Sequence, residues 1–324
     1  MVLDRKKLLI SAPIDFLPEL KKAIQDETDA LFSYGADHGQ IKVLLKGNAF
    51  DGWMVAPCPT YFIDREMLTL CPSLKIIATP STGSNHIEVS YLQEKGIKLY
   101  TLRESNSVSQ IYASSEYTFN LMISTIRKTP FAFQSVLHGK WREAEFDFRG
   151  RELHGLTLGI IGFGRIGSNL ARYSLAFGMK VIAFDPYATI ENHDVVQFNN
   201  INEMLPEADV IAVCVHLNQE TYKMINDSVF SLMKDGVYFI NTSRGDIVDE
   251  NDFLKYLMNG KIEAAGVDVI SGELASDIND NILVKYASKE DNLIITPHIA
   301  GLTYDSERKA QTAAYNTIKK FFNE

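Results

Sequence analysis

The chain has 324 residues, of which 46% are hydrophobic and 23% charged, and its formal net charge is −9 at pH 7. This length is sufficient for two domains, and the composition is typical of soluble globular proteins. The negative charge argues against binding to nucleic acid or to an anionic membrane, and no apolar run reaches the length of a membrane span. The first residues lack the apolar core of a signal peptide, and the cysteines (Cys58, Cys71 and Cys214) lack metal-ligand spacing, so we expect a cytoplasmic protein without a metal site.

Short apolar runs alternate with segments of helical periodicity through the first third of the chain. Strands are predicted at KLLISA, WMVA, LKIIATP and IKLYTL, and helices at FLPELKKAI, DREMLTL and HIEVSYLQEKG. This alternation is typical of a parallel sheet with crossover helices. The amphipathic stretch from Tyr112 to Arg127 predicts a longer helix that stops at Pro130, and an aromatic-rich segment follows it.

A second and more regular series of strands begins at Leu156. Six strands are predicted, at LTLGIIG, KVIAFD, VIAVCVHL, GVYFINTS, AAGVDVI and NLIITPH. Six strands with intervening helices make a complete doubly wound unit. The helical tail DSERKAQTAAYNTIKKFF adds no strand, so we expect it to pack on the first domain and to make that domain discontinuous in sequence.

A glycine-rich turn follows the first strand of the second series. Gly162, Gly164 and Gly167 have the G-x-G-x-x-G spacing between a strand and a helix. Gly162 allows the tight turn, Gly164 lets backbone amides approach a pyrophosphate, and Gly167 lets helix and strand pack closely. The helix amino terminus adds partial positive charge. The pattern therefore predicts a dinucleotide site rather than an ordinary turn.

Asp185 ends the next strand and indicates which dinucleotide binds. Its carboxylate is suited to accept hydrogen bonds from both adenosine ribose hydroxyls, and it would repel a 2′-phosphate. NAD is therefore favoured over NADP. The alternative is that Asp185 only starts a turn with Pro186.

Three ionisable side chains follow the last three predicted strands: Arg244, Glu273 and His298. Ligands of doubly wound sheets bind outside the carboxyl ends of the strands. An arginine can bind a carboxylate and polarise a carbonyl, and a histidine can exchange a proton with the resulting hydroxyl. A carboxylate behind the histidine fixes its tautomer and stabilises its protonated form. Together they predict an active site.

Each of the three residues also has a structural interpretation. In this interpretation Arg244 caps a helix or pairs with Asp246, Glu273 is a solvated loop charge, and His298 is a core residue with satisfied hydrogen bonds.

The sequence resembles the NAD-dependent D-isomer specific 2-hydroxyacid dehydrogenases, of the phosphoglycerate dehydrogenase-like type, over nearly its whole length. The most specific stretches are GKWREAEFDFRGRELHGLTLGIIGFGRIG, FINTSRGDIVDENDF, AAGVDVISGE and ITPHIAG. The resemblance implies that Arg244 binds substrate and that His298 is the acid-base catalyst, oriented by Glu273. It implies that the loop STGSN binds the substrate carboxylate through Thr82, Gly83 and Ser84. The residues that it implies for NAD are Gly162, Gly164, Arg165, Ile166, Gly167, Asp185, Thr242, Ser243, Asp268 and Gly301.

The resemblance also implies an α/β architecture of two doubly wound domains. A Rossmann NAD-binding domain of residues 114–299 would be inserted into a flavodoxin-like substrate domain of residues 1–113 and 300–324, with the active-site cleft between them. An arm at about 112–148 would form a homodimer. The implied reaction is reversible hydride transfer between NAD(H) and C2 of a small 2-oxo or 2-hydroxy acid.

Several positions depart from the family pattern. Cys214 stands where a histidine is usual, and His216 where a proline is usual. The segment at 102–116 is longer than in the family and would border the cleft, which suggests an unusual substrate and leaves open whether the segment sets substrate choice. No arginine for a substrate phosphate stands near Pro57.

Two other functions fit the same fold. One is a non-catalytic, NAD-sensing scaffold, as in the related transcriptional corepressors. The other is formate oxidation, which is disfavoured because the formate enzymes of the family carry a glutamine at the position of Glu273.

Overall fold

The computed structural model describes residues 5–142, 145–273 and 277–323. It divides the chain into two compact units, one formed by Met1–Ile111 with Thr303–Glu324 and the other by Tyr112–Leu302. Among the helices in these ranges, none is long and apolar enough to cross a membrane.

The first unit contains a five-stranded parallel sheet in the order β2-β1-β3-β4-β5, which is the flavodoxin-like order. The strands are β1 (Lys7–Ile10), β2 (Asp29–Phe32), β3 (Gly52–Met54), β4 (Ile76–Ala78) and β5 (Lys98–Tyr100). The helices are α1 (Pro18–Glu27), α2 (His38–Gly47), α3 (Arg65–Thr69), α4 (Val89–Lys95) and, from the end of the chain, α12 (Tyr304–Asn323). Two short 3-10 segments follow β5, at Leu102–Glu104 and Asn106–Gln110.

Both faces of this sheet are covered. Ala314, Tyr315 and Ile318 of α12 join a buried cluster with Leu8 and Ile10 of β1 on one face. On the other face, α2, α3 and α4 contribute to a second cluster around Trp53. The helical tail therefore completes the first unit.

The second unit contains seven parallel strands in the order β12-β11-β10-β9-β6-β7-β8. The strands are β6 (Thr157–Ile161), β7 (Lys180–Phe184), β8 (Val195–Phe198), β9 (Val210–Val213), β10 (Val237–Asn241), β11 (Ile262–Val267) and β12 (Leu293–Ile295). The helices are α5 (Ala113–Ile126), α6 (Thr129–Leu137), α7 (Arg165–Ala176), α8 (Ile201–Met204), α9 (Asp227–Leu232), α10 (Glu250–Met258) and α11 (Ile282–Ala287). Short 3-10 segments lie at Leu205–Glu207, Gly245–Ile247 and Ile278–Asp280.

The strand order of the second unit reverses at β6, which pairs with β7 on one side and β9 on the other. Chain connections leave β6 in opposite directions, so a crevice opens there at the carboxyl edge of the sheet. Side chains alternate between the two faces. Phe239 packs with α9 and α10, whereas Tyr238 and Ile240 pack with α5 and α7. Burial on both faces is expected for a parallel sheet. The predicted fold class, two doubly wound α/β units, is confirmed.

The structure adds elements that the sequence analysis missed. The strands β2 and β8 lie at sheet edges, and all of their residues except Val195 are partly or fully exposed, so their apolar pattern is weak. Helix α2 was also missed, since glycines near both of its ends interrupt the helical pattern.

The region in which the sequence predicted a single helix stopped by Pro130 differs in the structure. Helix α5 stops at Ile126, and the left-handed backbone of Lys128 (φ 52°) starts a second helix, α6, in which Pro130 occupies the first turn. Proline is well tolerated there because its missing N–H would have no intrahelical acceptor. Helix α6 buries none of its residues within the unit. The large apolar side chains exposed here are Phe133, Val136, Leu137, Trp141 and Phe146.

Candidate active site

The glycine-rich turn joins β6 to α7 at the point where the strand order reverses. Gly162 has φ 94°, and a Cβ there would lie 2.7 Å from the carbonyl oxygen of Cys214. A Cβ at Gly167 would collide with the carbonyl oxygen of Gly162, so only glycine allows this packing of helix on strand. Beside Gly164 there is open space.

This turn fits a dinucleotide pyrophosphate. Arg165 and Ile166 are the first residues of α7, the end of a helix where partial positive charge concentrates. With open space at Gly164, an anion can approach the backbone at this end of the helix. Burial lowers the pKa of the Arg165 guanidinium, as expected for a cation withdrawn from water.

Asp185 links the end of β7 to the glycine-rich turn. Its Oδ2 accepts a hydrogen bond from the Phe163 amide at 2.8 Å. Its Oδ1 accepts bonds from the amides of Tyr187 and Ala188 at 2.9 and 3.1 Å, so it also forms the local turn that the sequence offered as an alternative. A carboxylate has about four acceptor positions. Three are used here, which leaves Oδ2 able to accept one more hydrogen bond.

The turn that carries Arg244 is held by side chains of its own residues. Asn241 accepts a bond from the Ser243 amide at 2.9 Å and donates to the carbonyl of Arg244 at 3.0 Å. The Ser243 hydroxyl donates to the carbonyl of Val213 at the end of β9, at 2.8 Å. Thr242 is fixed from the other side, because its hydroxyl lies 2.6 Å from that of Thr118 on α5.

The guanidinium of Arg244 donates from Nη1 to the carbonyl of Ser243 at 2.6 Å. Within the described residues it forms no ion pair, so the pairing with Asp246 that the sequence allowed is not formed. The fork of Arg244 therefore keeps donors for an anionic ligand.

His298 and Glu273 form a hydrogen-bonded pair. The imidazole Nδ1 lies 3.0 and 3.1 Å from the two carboxylate oxygens, and the side chains are 22% and 29% exposed. Neither structural interpretation from the sequence therefore applies, since Glu273 is not simply solvated and His298 is not a core residue. Because Nδ1 faces Glu273, exchange of a proton with a ligand falls to Nε2.

Asp268, which is 1% exposed, stabilises the turn that contains His298. Its carboxylate accepts bonds from the Thr296 hydroxyl at 2.6 Å and from the amides of Ile299 and Ala300 at 3.0 and 2.8 Å. Its backbone carbonyl accepts from the His298 amide at 2.9 Å. These bonds hold His298 in the left-handed region at φ 55°. Burial raises the pKa of Asp268. Gly301 directly follows this turn.

Sequence analysis missed Glu250, which binds the turn of Glu273 from the start of α10. Its Oε1 accepts from the Ser271 amide at 2.6 Å. A Cβ on Gly245 would collide with the backbone of Ile270 and Ser271, so the two turns touch directly. In the sequence, Glu250 is marked only by its position in GDIVDE, five residues after Gly245, the glycine that follows the strand end. Its partner Ser271 lies 21 residues further along the chain.

The loop Thr82–Gly83–Ser84 belongs to the first unit and follows β4. The Ser81 hydroxyl donates to the carbonyl of Gly83 at 2.5 Å, and the Ile87 amide donates to the carbonyl of Ser84 at 3.0 Å. In the described part of the chain, the amides of Thr82, Gly83 and Ser84 donate to no acceptor. Consecutive backbone amides without an acceptor are able to bind an anion.

The two departures from the family pattern lie just after β9. Burial raises the pKa of the Cys214 thiol to about 12, so the thiol stays protonated at neutral pH. His216 is exposed, and its backbone carbonyl accepts a bond from the Thr221 hydroxyl at 2.6 Å.

A doubly wound sheet with this turn and a histidine–carboxylate pair at its carboxyl edge defines a dinucleotide-dependent oxidoreductase. Residues 119–300 match the family model for the D-isomer specific 2-hydroxyacid dehydrogenase, NAD binding domain. The chain is 36% identical over 262 residues to a hydroxypyruvate reductase of Thermotoga maritima, with 81% of each protein covered. It is 35% identical over 247 residues to a D-3-phosphoglycerate dehydrogenase of Archaeoglobus fulgidus, covering 76% of this chain and 45% of that protein.

The structure is similar to a D-lactate dehydrogenase of Aquifex aeolicus in complex with NAD and lactic acid. The TM-score is 0.82 and the identity 31%, over 98% of this chain and 96% of the other. The chain therefore belongs to the D-isomer specific 2-hydroxyacid dehydrogenase family. It is an NAD-dependent oxidoreductase, which confirms the predicted family, enzyme class and cofactor.

Proposed function

We propose that this protein reduces a small 2-oxo acid to the D-2-hydroxy acid with NADH and catalyses the reverse oxidation with NAD⁺. The observation that carries the proposal is the His298–Glu273 pair, with Nδ1 3.0 Å from the carboxylate, in the same unit as the glycine-rich turn. A histidine oriented in this way through Nδ1 offers Nε2 for proton exchange with a hydroxyl or carbonyl oxygen.

In this mechanism Arg244 binds the substrate carboxylate and polarises the neighbouring carbonyl. Bound NADH supplies the hydride that adds to C2. His298, protonated, donates a proton from Nε2 to the carbonyl oxygen as the alkoxide develops, and Glu273 stabilises the imidazolium. In the oxidation, neutral His298 takes the proton from the hydroxyl. The amides of Thr82, Gly83 and Ser84 bind the substrate carboxylate.

The proposed NAD contacts lie along the carboxyl edge of the second unit, from the glycine-rich turn to the turn after β12. Asp185 receives a ribose hydroxyl, and the helix amino terminus at Arg165 faces the pyrophosphate. The full set is Gly162, Gly164, Arg165, Ile166, Gly167, Asp185, Thr242, Ser243, Asp268 and Gly301.

Hydroxypyruvate and glyoxylate are the first substrates to test, because they are the substrates named for two similar relatives. One is the hydroxypyruvate reductase described above. The other is a glyoxylate reductase of Thermococcus litoralis, which is 34% identical over 264 residues that cover 79% of this chain and 76% of that protein. NADH consumption is measured with glyoxylate, hydroxypyruvate, phosphohydroxypyruvate, 2-oxoglutarate and larger sugar-derived 2-oxo acids, with His298→Ala as the inactive control. Turnover above the level of this control supports the proposal. Binding of NADH without turnover of any acid would favour the NAD-sensing scaffold instead.

Phosphohydroxypyruvate should not be strongly preferred over hydroxypyruvate, because no arginine stands near Pro57 to bind its phosphate. A large preference for the phosphorylated compound would assign the phosphate to another cation, for which Arg103 in the first unit is the candidate.

The protein is proposed to be a cytoplasmic homodimer. None of its cysteines, Cys58, Cys71 and Cys214, forms a disulfide in the described structure, which suits a reducing compartment. Helix α6 and the segment after it, within the arm at about 112–148, expose five large apolar side chains that the unit itself does not bury. A second copy of the arm would cover them by two-fold symmetry.

A further inference from the structure

Residues 268–273, which lead from β11 to Glu273, form neither helix nor strand. This turn follows β11 and includes Ser271, whose backbone amide donates to Glu250 Oε1 at 2.6 Å. Glu250 is the first residue of α10. It is not needed to cap that helix, because Asp249 already accepts bonds from the amides of Asn251 and Asp252. The carboxylate of Glu250 is thus available for the turn of Glu273.

The second oxygen of Glu250 is also used. Oε2 accepts from the side-chain amide of Asn281 at 3.2 Å, while the Asn281 carbonyl caps α11 by accepting from the Leu283 amide at 2.8 Å. Both partners of Glu250 are therefore donors. An ionised carboxylate satisfies both, whereas a glutamine offers only one acceptor oxygen.

Holding this carboxylate away from water has a cost. Burial raises the pKa of Glu250, which means that the charged form is disfavoured relative to an exposed glutamate. A half-buried charge is normally retained only where hydrogen bonds compensate it. Here those hydrogen bonds go to the turn of Glu273 and to the residue that caps α11.

The same turn is held from its other side by Gly245. Because a Cβ at position 245 would collide with the backbone of Ile270 and Ser271, the turn after Arg244 packs on it with no space between them. Ser271 is therefore held between this contact and the carboxylate of Glu250.

We propose that Glu250 is a positioning residue, whose carboxylate holds the Ser271 amide and so keeps Glu273 against Nδ1 of His298. The inference deepens the proposed function and rests on it. Glu250 contacts neither substrate nor cofactor in this scheme. It acts on the proton-transfer step through the Ser271–Glu273 turn.

The pH profile of the reduction tests this role. In Glu250→Ala, Glu273 should lose its fixed position. The alkaline limb of the kcat profile for reduction should then move to lower pH, which is the direction also expected for Glu273→Gln. The double variant should show little further shift beyond Glu273→Gln alone, because both changes act on one unit. Glu250→Gln, which keeps one acceptor for Ser271, should give a smaller shift.

Asp252→Ala is the matched control. Asp252 lies on the same helix, and its carboxylate also accepts a backbone amide, that of Asp227 at 2.8 Å, at the start of α9, which carries no proposed site residue. This variant loses a comparable hydrogen bond, so a loss of stability alone appears in both variants. The shift of the pH profile should appear only in Glu250→Ala.

Hydrogen exchange gives a readout that does not depend on activity. The Ser271 amide should be protected in the wild type, and a peptide covering residues 268–273 should exchange at least about tenfold faster there in Glu250→Ala. If Glu250→Ala does not fold, Glu250→Gln is measured in its place, with faster exchange again expected.

The outcomes separate the inference from the proposed function. An unchanged profile and unchanged exchange in the folded Glu250 variants, with a clear shift in Glu273→Gln, would overturn the positioning role alone. An unchanged profile in Glu273→Gln itself would instead overturn the assignment of Glu273 in the proposed mechanism.

Discussion

The imidazole Nδ1 of His298 lies 3.0 Å from Glu273 Oε1, across 25 residues of sequence. A carboxylate at this distance favours the protonated imidazole. Reduction needs that protonated form, so Glu273→Gln should move the alkaline limb of the kcat profile for reduction to lower pH. The oxidation, which needs neutral His298, should persist to lower pH. Initial rates measured in both directions over a pH series check this, and profiles identical to the wild type would contradict it.

His298→Ala removes the proposed acid-base group itself. We expect kcat to fall by about 10²- to 10⁴-fold, the usual contribution of general acid-base catalysis. Affinity for NADH, measured by fluorescence titration, should stay close to that of the wild type. Near-wild-type turnover with the best 2-oxo acid would show that the mechanism is wrong.

Arg244→Ala should damage kcat/KM most, because it removes the group that binds the substrate carboxylate. The loss should be roughly 10²-fold or more, which corresponds to about 2.7 kcal/mol. Arg244→Lys keeps the charge without the planar fork and should recover only part of the loss. The control is Arg172→Ala, an exposed arginine on α7, which should leave kcat/KM unchanged.

Cofactor choice should follow the charge of Asp185. We expect kcat/KM with NADH to exceed that with NADPH by at least about tenfold, or roughly 1.4 kcal/mol. Since the carboxylate also holds three backbone amides, Asp185→Asn is a better test than alanine, as it removes the charge and keeps an acceptor. Asp185→Asn should lower the ratio of kcat/KM with NADH to kcat/KM with NADPH. Equal use of the two cofactors by the wild type would rule out this role.

The proposed dimer can be tested with two residues of equal exposure. Phe133 on α6 and Tyr34 in the first unit are both 61% exposed. Phe133→Glu places a charge on the apolar surface of the arm and should shift the protein toward monomer, whereas Tyr34→Glu should not. Light scattering at micromolar concentration gives the masses. A wild-type protein of 36.4 kDa in that measurement would contradict the dimer.

Cysteine alkylation tests the view that Cys214 is inert. Burial raises its pKa to about 12, so almost no thiolate exists at pH 8. Cys58 is exposed and Cys71 buried. Iodoacetamide should therefore modify Cys58 in the native protein and all three cysteines only after denaturation, as read by mass spectrometry. Rapid native labelling of Cys214 would show that its thiol is accessible and reactive.

The sequence predicted those parts of the structure in which one local pattern determines the result. The glycine spacing at Gly162 identified the cofactor turn, and the strand-end positions of Arg244 and His298 placed them at one edge of a parallel sheet. The edge strands β2 and β8 were missed because partial exposure removes the apolar contrast that marks a buried strand.

The supporting contacts could not be predicted in the same way. The bond of Glu250 to Ser271 and the bonds of Asp268 to the turn of His298 join residues 21 to 32 positions apart. No periodicity in the sequence records such pairings, since they depend on how neighbouring strand ends meet in the folded sheet. Acidic residues of this kind are indistinguishable in sequence from solvated surface charges.

The proposed reaction groups are distributed unevenly between the two units. Arg244, Glu273, His298 and all of the proposed NAD contacts belong to the second unit, whereas the amide loop at Thr82–Ser84 belongs to the first. Under the proposed assignment, hydride and proton transfer depend only on side chains of the second unit. Randomised libraries directed at the first unit would therefore leave those side chains unchanged when activity on a new hydroxy acid is sought.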